Sequence, residues 1–161
     1  TQWPDLLLEE HKSNMLRFVK RVFDSSDGSA APCSDDLKLE VIIWLGELCT
    51  DKECTWWFAS MNIVDDLNSI LTQSFVRRQD SEMSIEILYV YEKLLLHEET
   101  RLQVIGGDGV IDAILLCLEE GYELRMATLK CLVIIEDLDR ETNGSLGSVG
   151  QYIRCKRFAL L

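Results

Sequence analysis

The stretch DKECTWWFASMNIVDDLNSIL, residues 51–71, recurs in altered form 47 residues later as EETRLQVIGGDGVIDAILLCL, residues 98–118. At this shift apolar residues align with apolar residues, and one aspartate aligns with another. The pairs are Trp57 and Val104, Phe58 and Ile105, Ile63 and Val110, Asp65 and Asp112, Leu67 and Ile114, and Leu71 and Leu118. Self-similarity at such a period is the sequence signature of a repeat protein, in which one small unit is stacked several times.

The similarity continues on both sides of this stretch. LEVIIWLGEL, residues 39–48, aligns with IEILYVYEKL, residues 85–94, at a shift of 46. A later copy follows at a shift of 41, because the intervening loop is shorter, and this shift pairs Leu88 with Leu129. We therefore expect Leu88 and Leu129 to occupy the same buried place in successive units.

The apolar residues recur at intervals of three and four, which is the period of a helix buried on one side. Helices are predicted over residues 4–23, 35–49, 51–60, 62–74, 81–97, 98–105, 109–120 and 122–139, with Ser34 as the cap of the second. Short, medium and long helices follow one another twice. This order predicts an all-α fold, an armadillo-like right-handed helical solenoid of about three repeats.

The GGDG sequence at residues 106–109 raises the question of a phosphate-binding loop. Its glycine spacing matches neither the dinucleotide fingerprint nor the P-loop. Under the shift of 47 it falls on the joint between the short and medium helices of the other copy. We interpret it as a corner, where glycine permits a sharp turn between two helices.

The charge and the apolar content of the chain limit the classes of partner that it is expected to bind. The chain of 161 residues carries a net charge of −12, which argues against nucleic acid, and it has no apolar run long enough to insert in a membrane. All 28 acids lie in residues 1–141 with 13 basic residues, a net charge of −15, whereas the last twenty residues carry only three basic ones. We therefore divide the chain into helical repeats, 1–141, and a linker with a basic C-terminal helix, 142–161. A chain that begins at Thr1 and stops within a helical pattern is expected to be a piece of a longer protein.

No catalytic residue, metal site or cofactor is predicted. The two histidines, His11 and His97, lie among solvated glutamates, and His97 is expected to end the helix 81–97. The six cysteines form no C-x-x-C pair, and Cys117 and Cys131 fall on apolar helix faces that we expect to pack together. Reduced thiols favour the cytosol. The chain is therefore not expected to be an enzyme.

Two long segments, residues 35–73 and 84–141, resemble the last armadillo repeats of the kinesin-associated protein family, the non-motor subunit of heterotrimeric kinesin. The residues that carry the resemblance include DDLKLEV at 35–41, ILYVYEKLLLHEETR at 87–101 and IIEDLDRE at 134–141. The resemblance implies an adaptor that binds the stalk-tail region of kinesin motor subunits and links them to cargo adaptors. It also implies a cytoplasmic location on the cytoskeleton, often in the cilium. Another armadillo scaffold, such as a regulator of a small GTPase or a carrier of basic peptides, stays open as the alternative.

The partner is expected to bind the outward line of the long helices. On the helix 81–97 this line is Glu82, Glu86, Tyr89 and Lys93. Its counterparts are Asp36, Glu40, Ile43 and Glu47 in the earlier copy, and Glu123, Ala127, Lys130 and Ile134 in the later one. We name the carboxylates Asp36, Glu40, Glu47, Glu82 and Glu86 the acidic ladder. Tyr89, Lys93 and Trp56 are the further candidate contacts. Trp56 aligns with the polar Gln103 and would serve as an aromatic anchor if it is exposed, and packing against a neighbouring helix stays open as the alternative.

Overall fold

The computed structural model describes residues 9–23, 33–50, 52–77 and 81–141, and within these ranges every regular element is helical. The helices are α1 Glu9–Phe23, α2 Asp35–Leu48, α3 Lys52–Ser60, α4 Ile63–Arg77, α5 Ser81–Leu96, α6 Glu98–Gly106, α7 Val110–Leu116 and α8 Tyr122–Glu141. A 3-10 turn, Cys117–Glu119, continues α7. The all-α prediction is confirmed. The predicted linker and basic helix at 142–161 lie outside the described residues.

The start of α2 is set by a local cap that the sequence predicts. The hydroxyl of Ser34 accepts a hydrogen bond from the Leu37 amide at 3.3 Å. Asp35 and Asp36 stand in the first turn, where their negative charge is favourable beside the free amides of the helix start. Ser34 is therefore the N-cap of α2, as predicted.

The two corners between short and medium helices share a residue of positive φ. Asn62, before α4, has φ 53°, and Gly109, before α7, has φ 71°. These two residues are 47 positions apart, so the shift found in the sequence joins them. Asparagine and glycine are the residues that enter the left-handed region at least cost. Residues 106–109 thus form a corner, as the sequence indicates.

Gly107 has a different role in that corner, because its φ of −66° is ordinary. A Cβ added to Gly107 would lie 2.5 Å from Val110 Cγ2 and 2.6 Å from the carbonyl oxygen of Gln103. The glycine is needed because the start of α7 packs directly against the end of α6.

Helix α5 lies at the centre of the molecule and contacts α2, α4, α6 and α8. Its side chains Ile87, Leu88, Tyr91, Leu94 and Leu95 are at most 1% exposed. The short helices α3 and α6 also contact each other, as do the medium helices α4 and α7. Each of these helices therefore packs against its counterpart in the repeat.

A buried threonine fastens each short helix to the long helix before it. Thr55 Oγ1 donates to the carbonyl of Cys49 at 3.3 Å, and Thr100 Oγ1 donates to the carbonyl of Leu94 at 2.7 Å. Both acceptors belong to the ends of long helices, where carbonyls lack a partner within the helix. These two contacts are a feature of the repeat that the apolar pattern did not reveal.

The shift of 41 between α5 and α8 is wrong. Ala127, expected to face outward, is 4% exposed, and Leu129, expected in the core, is only half-buried. When the sequences of the two helices are aligned, the buried residues of α5 match buried residues of α8 at a shift of 44. A shift of 40, which is about one helical turn less, matches them too. At 44 the pairs are Ser84 and Thr128, Ile87 and Cys131, Leu88 and Leu132, Tyr91 and Ile135, and Leu95 and Asp139. The sequence misled because α8 carries apolar residues on its exposed side as well.

Candidate partner-binding surface

The acidic ladder lies on two adjacent helices. Asp36, Glu40 and Glu47 are exposed on α2, and Glu82 is exposed at the start of α5, while Glu86 is half-buried. Because α2 contacts α5 and the two helices correspond at a shift of 46, Asp36 is the counterpart of Glu82 and Glu40 that of Glu86. The carboxylates present a negative surface that suits a basic ligand.

Glu86 is the member of the ladder most affected by the fold. Burial is the main reason that its pKa is raised above the ordinary value, and the neighbouring Glu82 carboxylate raises it further. Lys93 acts in the opposite direction. Repulsion between Glu86 and Glu82 is the kind of interaction that a bound cation would relieve.

Lys93 ties two helices together. Its Nζ donates to the carbonyl oxygen of Gly46 at 2.6 Å, in the last turn of α2. A cation at that end of a helix is favourable, because the carbonyls there have no partner within the helix and carry partial negative charge. The ammonium of Lys93 is thus engaged inside the fold, although the sequence places it on the outward line.

His97 makes a similar contact with α2. Helix α5 ends at Leu96 rather than at residue 97, and His97 is the N-cap residue of α6. Its Nε2 lies 3.2 Å from the carbonyl oxygen of Cys49, which can only accept, so Nε2 carries the proton in this hydrogen bond. The imidazole of His97 therefore bonds to the end of the neighbouring long helix, α2.

Tyr89 joins the ladder to α8. Its side chain is 38% exposed, and Lys130 Nζ lies 5.7 Å from the centroid of its ring, a cation–π geometry. The Cys131 thiol donates to the Leu88 carbonyl at 3.3 Å, which places this part of α8 directly beside Tyr89. Trp56 belongs to α3, and its side chain lies outside the part of the structure that is described.

A group of exposed apolar side chains follows on α8. Tyr122 is 75% exposed, Met126 is 40% exposed and Val133 is 54% exposed. Met126 precedes Lys130 by four residues and Val133 follows it by three, which are the spacings of neighbours on one helix face. We name Tyr89, Tyr122, Met126 and Val133 the apolar block. The three α8 members recur at positions i, i+4 and i+11, a spacing that is present in the sequence. The sequence did not identify them as exposed, because the buried apolar residues of a helix recur at similar intervals.

The thiols belong to the core. Burial raises the pKa of Cys49, Cys117 and Cys131 to about 12 each, so these groups are neutral near pH 7. Cys117 and Cys131 are both 0% exposed, as the sequence predicts. Within the described ranges, no three His, Cys, Asp or Glu side chains are placed to hold a metal ion, and no helix is long and apolar enough to cross a membrane.

The chain matches the family model described as Kinesin-associated protein (KAP) over residues 5–148. No solved structure matches the chain. The family match covers most of the sequence and includes all of the described helices. The acidic ladder and the apolar block therefore both lie inside the matched region.

Proposed function

The chain belongs to the kinesin-associated protein family, and from this we propose that it is a non-enzymatic adaptor module that binds stalk-tail segments of kinesin motor subunits. In this proposal it also links the motor to cargo adaptors, in the cytoplasm on the cytoskeleton, including the cilium. The family implies protein partners, and the acidic ladder, with four of its five carboxylates exposed, is the observation that supports the proposal that they bind there.

We propose that the helices form an armadillo-like right-handed solenoid of about three repeats over residues 1–141. The packing of each helix against its counterpart, α2 on α5, α3 on α6, α4 on α7 and α5 on α8, supports this arrangement. In such an array the long helices α2, α5 and α8 line one concave surface, on which a partner segment crosses several repeats.

Charge would bring the partner to this surface. Residues 1–141 carry −15, and the ladder concentrates five carboxylates on two contacting helices. Complementary charge speeds diffusional encounter more than it slows release, and its effect falls as salt rises. Tyr89, more than a third exposed beside the ladder, would supply the apolar contact that slows release.

The test uses immobilised stalk-tail fragments of the two motor subunits of heterotrimeric kinesin and the 161-residue chain in solution. The Glu40→Lys/Glu47→Lys variant reverses two exposed ladder charges on α2. We expect its association rate constant to fall about tenfold at low salt and less at physiological salt.

Glu98→Lys/Glu119→Lys is the matched control, because it makes the same change of net charge at exposed sites outside the ladder. Equal association by the ladder variant and the control would contradict the ladder as the binding site. Binding of the chain to an immobilised small GTPase, with no binding to the motor fragments, would favour a scaffold of another kind.

A further inference from the structure

The apolar block is a feature of the described surface that the acidic ladder leaves unexplained. Its α8 members, Tyr122, Met126 and Val133, are each at least 40% exposed, although they alternate with charged neighbours that could have covered them. Exposed apolar side chains that share one helix face mark an interaction site more often than single exposed ones do.

The apolar block does not lie on the side of α8 that a further helix of the array would cover. Helix α5 already has long helices on both sides, α2 and α8, and it still exposes Glu82, Tyr89 and Leu96. These three residues recur every seven positions and so share one stripe of α5. This stripe of α5 stays exposed to solvent although α5 packs against both α2 and α8. A further helix packed beside α8 would therefore leave the corresponding face of α8 exposed as well.

The block and the ladder are continuous. Tyr89 stands on α5 with Glu82 and Glu86, and Lys130 of α8 lies over its ring at 5.7 Å. The surface therefore passes from carboxylates on α2 and the first half of α5 to a face of α8 on which exposed apolar side chains flank the ammonium of Lys130.

We propose that this surface binds a single bipartite peptide segment, with lysine or arginine side chains at the end on α2 and α5 and large aliphatic or aromatic side chains at the end on α8. The inference rests on the proposed function, since it specifies the chemistry of the segment that the adaptor binds. Charge complementarity selects the first half of the segment, and burial of the apolar block selects the second.

The geometry sets the distance between the two halves. Neighbouring helix axes lie about 8–10 Å apart, so α2 and α8 are separated by about 16–20 Å across α5. A helical segment covers that distance in about 11–13 residues and an extended one in about five or six. A peptide with its basic and apolar clusters separated accordingly is the natural probe.

The test measures binding of two fluorescent peptides to the 161-residue chain by anisotropy. The bipartite probe carries four lysines and four leucines separated by six Gly and Ser residues, and the basic probe replaces its leucines with serine. We expect the bipartite probe to bind about fivefold more tightly, because only it removes the apolar block from water.

The variants assign that gain to α8. Met126→Ser/Val133→Ser should remove the difference between the probes and leave the affinity for the basic probe unchanged. Leu102→Ser/Leu116→Ser is the matched control and should preserve the difference, since Leu102 is 68% exposed on α6 and Leu116 is 48% exposed on α7, two helices that carry no member of the ladder or of the block. Equal affinity for the two probes, or a gain that survives Met126→Ser/Val133→Ser, would overturn the inference.

Two other occupants of this surface, the chain's own basic segment and a second copy of the chain, would give different results. If the combined variant Arg154→Glu/Lys156→Glu/Arg157→Glu uncovers probe binding that the unaltered chain lacks, the occupant is the chain's own basic segment. If Val133→Ser abolishes a dimer in sedimentation, the occupant is a second copy. Either result would overturn the inference. Basic-probe binding that Glu40→Lys leaves unchanged would count against the acidic ladder itself, and this failure is distinct from a missing difference between the two probes.

Discussion

Replacement of Leu88 and of Leu129 by alanine separates the observed helix packing from the pattern read in the sequence. Leu88 is 0% exposed on the central helix α5, whereas Leu129 is half-buried on α8 and lies near the apolar block. The sequence repeat at a shift of 41 predicts equal losses of stability at the two sites. The structure predicts unequal ones.

The magnitudes follow from burial. Leu88→Ala removes three buried carbons, worth about 2.4 kcal/mol at about 0.8 kcal/mol each, and the cavity that cannot collapse adds about 1 kcal/mol. The expected loss is therefore about 3 kcal/mol. Leu129 is partly exposed, so less apolar surface is lost there and solvent fills the space that a cavity would occupy, and the expected loss is about 2 kcal/mol at most.

Urea denaturation followed by circular dichroism measures both free energies of unfolding. Leu102→Ala is the control for side-chain truncation at an exposed helix position, and it should change the stability by less than about 0.5 kcal/mol. Losses at Leu88 and Leu129 that agree within error would refute the reasoning. They would indicate that Leu129 is buried as deeply as Leu88, as the shift of 41 predicts, and that α8 turns a different side toward α5.

Three further outcomes are expected. Tyr91→Phe should stabilise the chain by about 1 kcal/mol in urea denaturation, because the Tyr91 hydroxyl is buried with no hydrogen-bond partner among the described residues; a loss of stability would reveal a partner. Gly109→Ala should lower the thermal midpoint, at a cost of about 1 kcal/mol, whereas Asn62→Gly should not, because both positions are left-handed; equal effects would contradict a shared corner. Burial raises the pKa of Cys117 and Cys131 to about 12, so the unfolded chain releases these protons first and stability should fall as the pH rises above their ordinary value of 9.0. At pH 8 both thiols should resist iodoacetamide until the chain is denatured, and rapid labelling of the native chain, detected by mass spectrometry, would show that they are accessible.

The elements that the sequence predicted well are those decided over short distances. The Ser34 cap depends on a hydroxyl three residues before the Leu37 amide. The corner at Gly109 depends on a residue that tolerates positive φ, and the counterpart Asn62 meets the same requirement without being glycine. Helix boundaries followed from these signals and from the 3.6-residue period to within a few positions.

The candidate surface was predicted only in part. The period of the long helices identified the acidic ladder, of which four members are exposed and Glu86 is half-buried. It did not reveal that Lys93 is bonded to Gly46, because that contact depends on the distance between α5 and α2. It also did not identify the apolar block, since an exposed valine and a buried one look alike in a periodic pattern.

The sequence by itself determined that the described chain is helical and that its helices repeat, because both properties are set by the spacing of apolar residues and by turn residues along one segment. The tertiary structure alone decided which side of α8 is buried. Loop length between α7 and α8 and the packing of α8 on α5 set that rotation, and a shift of one residue turns a helix by about 100°. Ala127 and Thr128 consequently enter the core while Met126 and Val133 stay in contact with water.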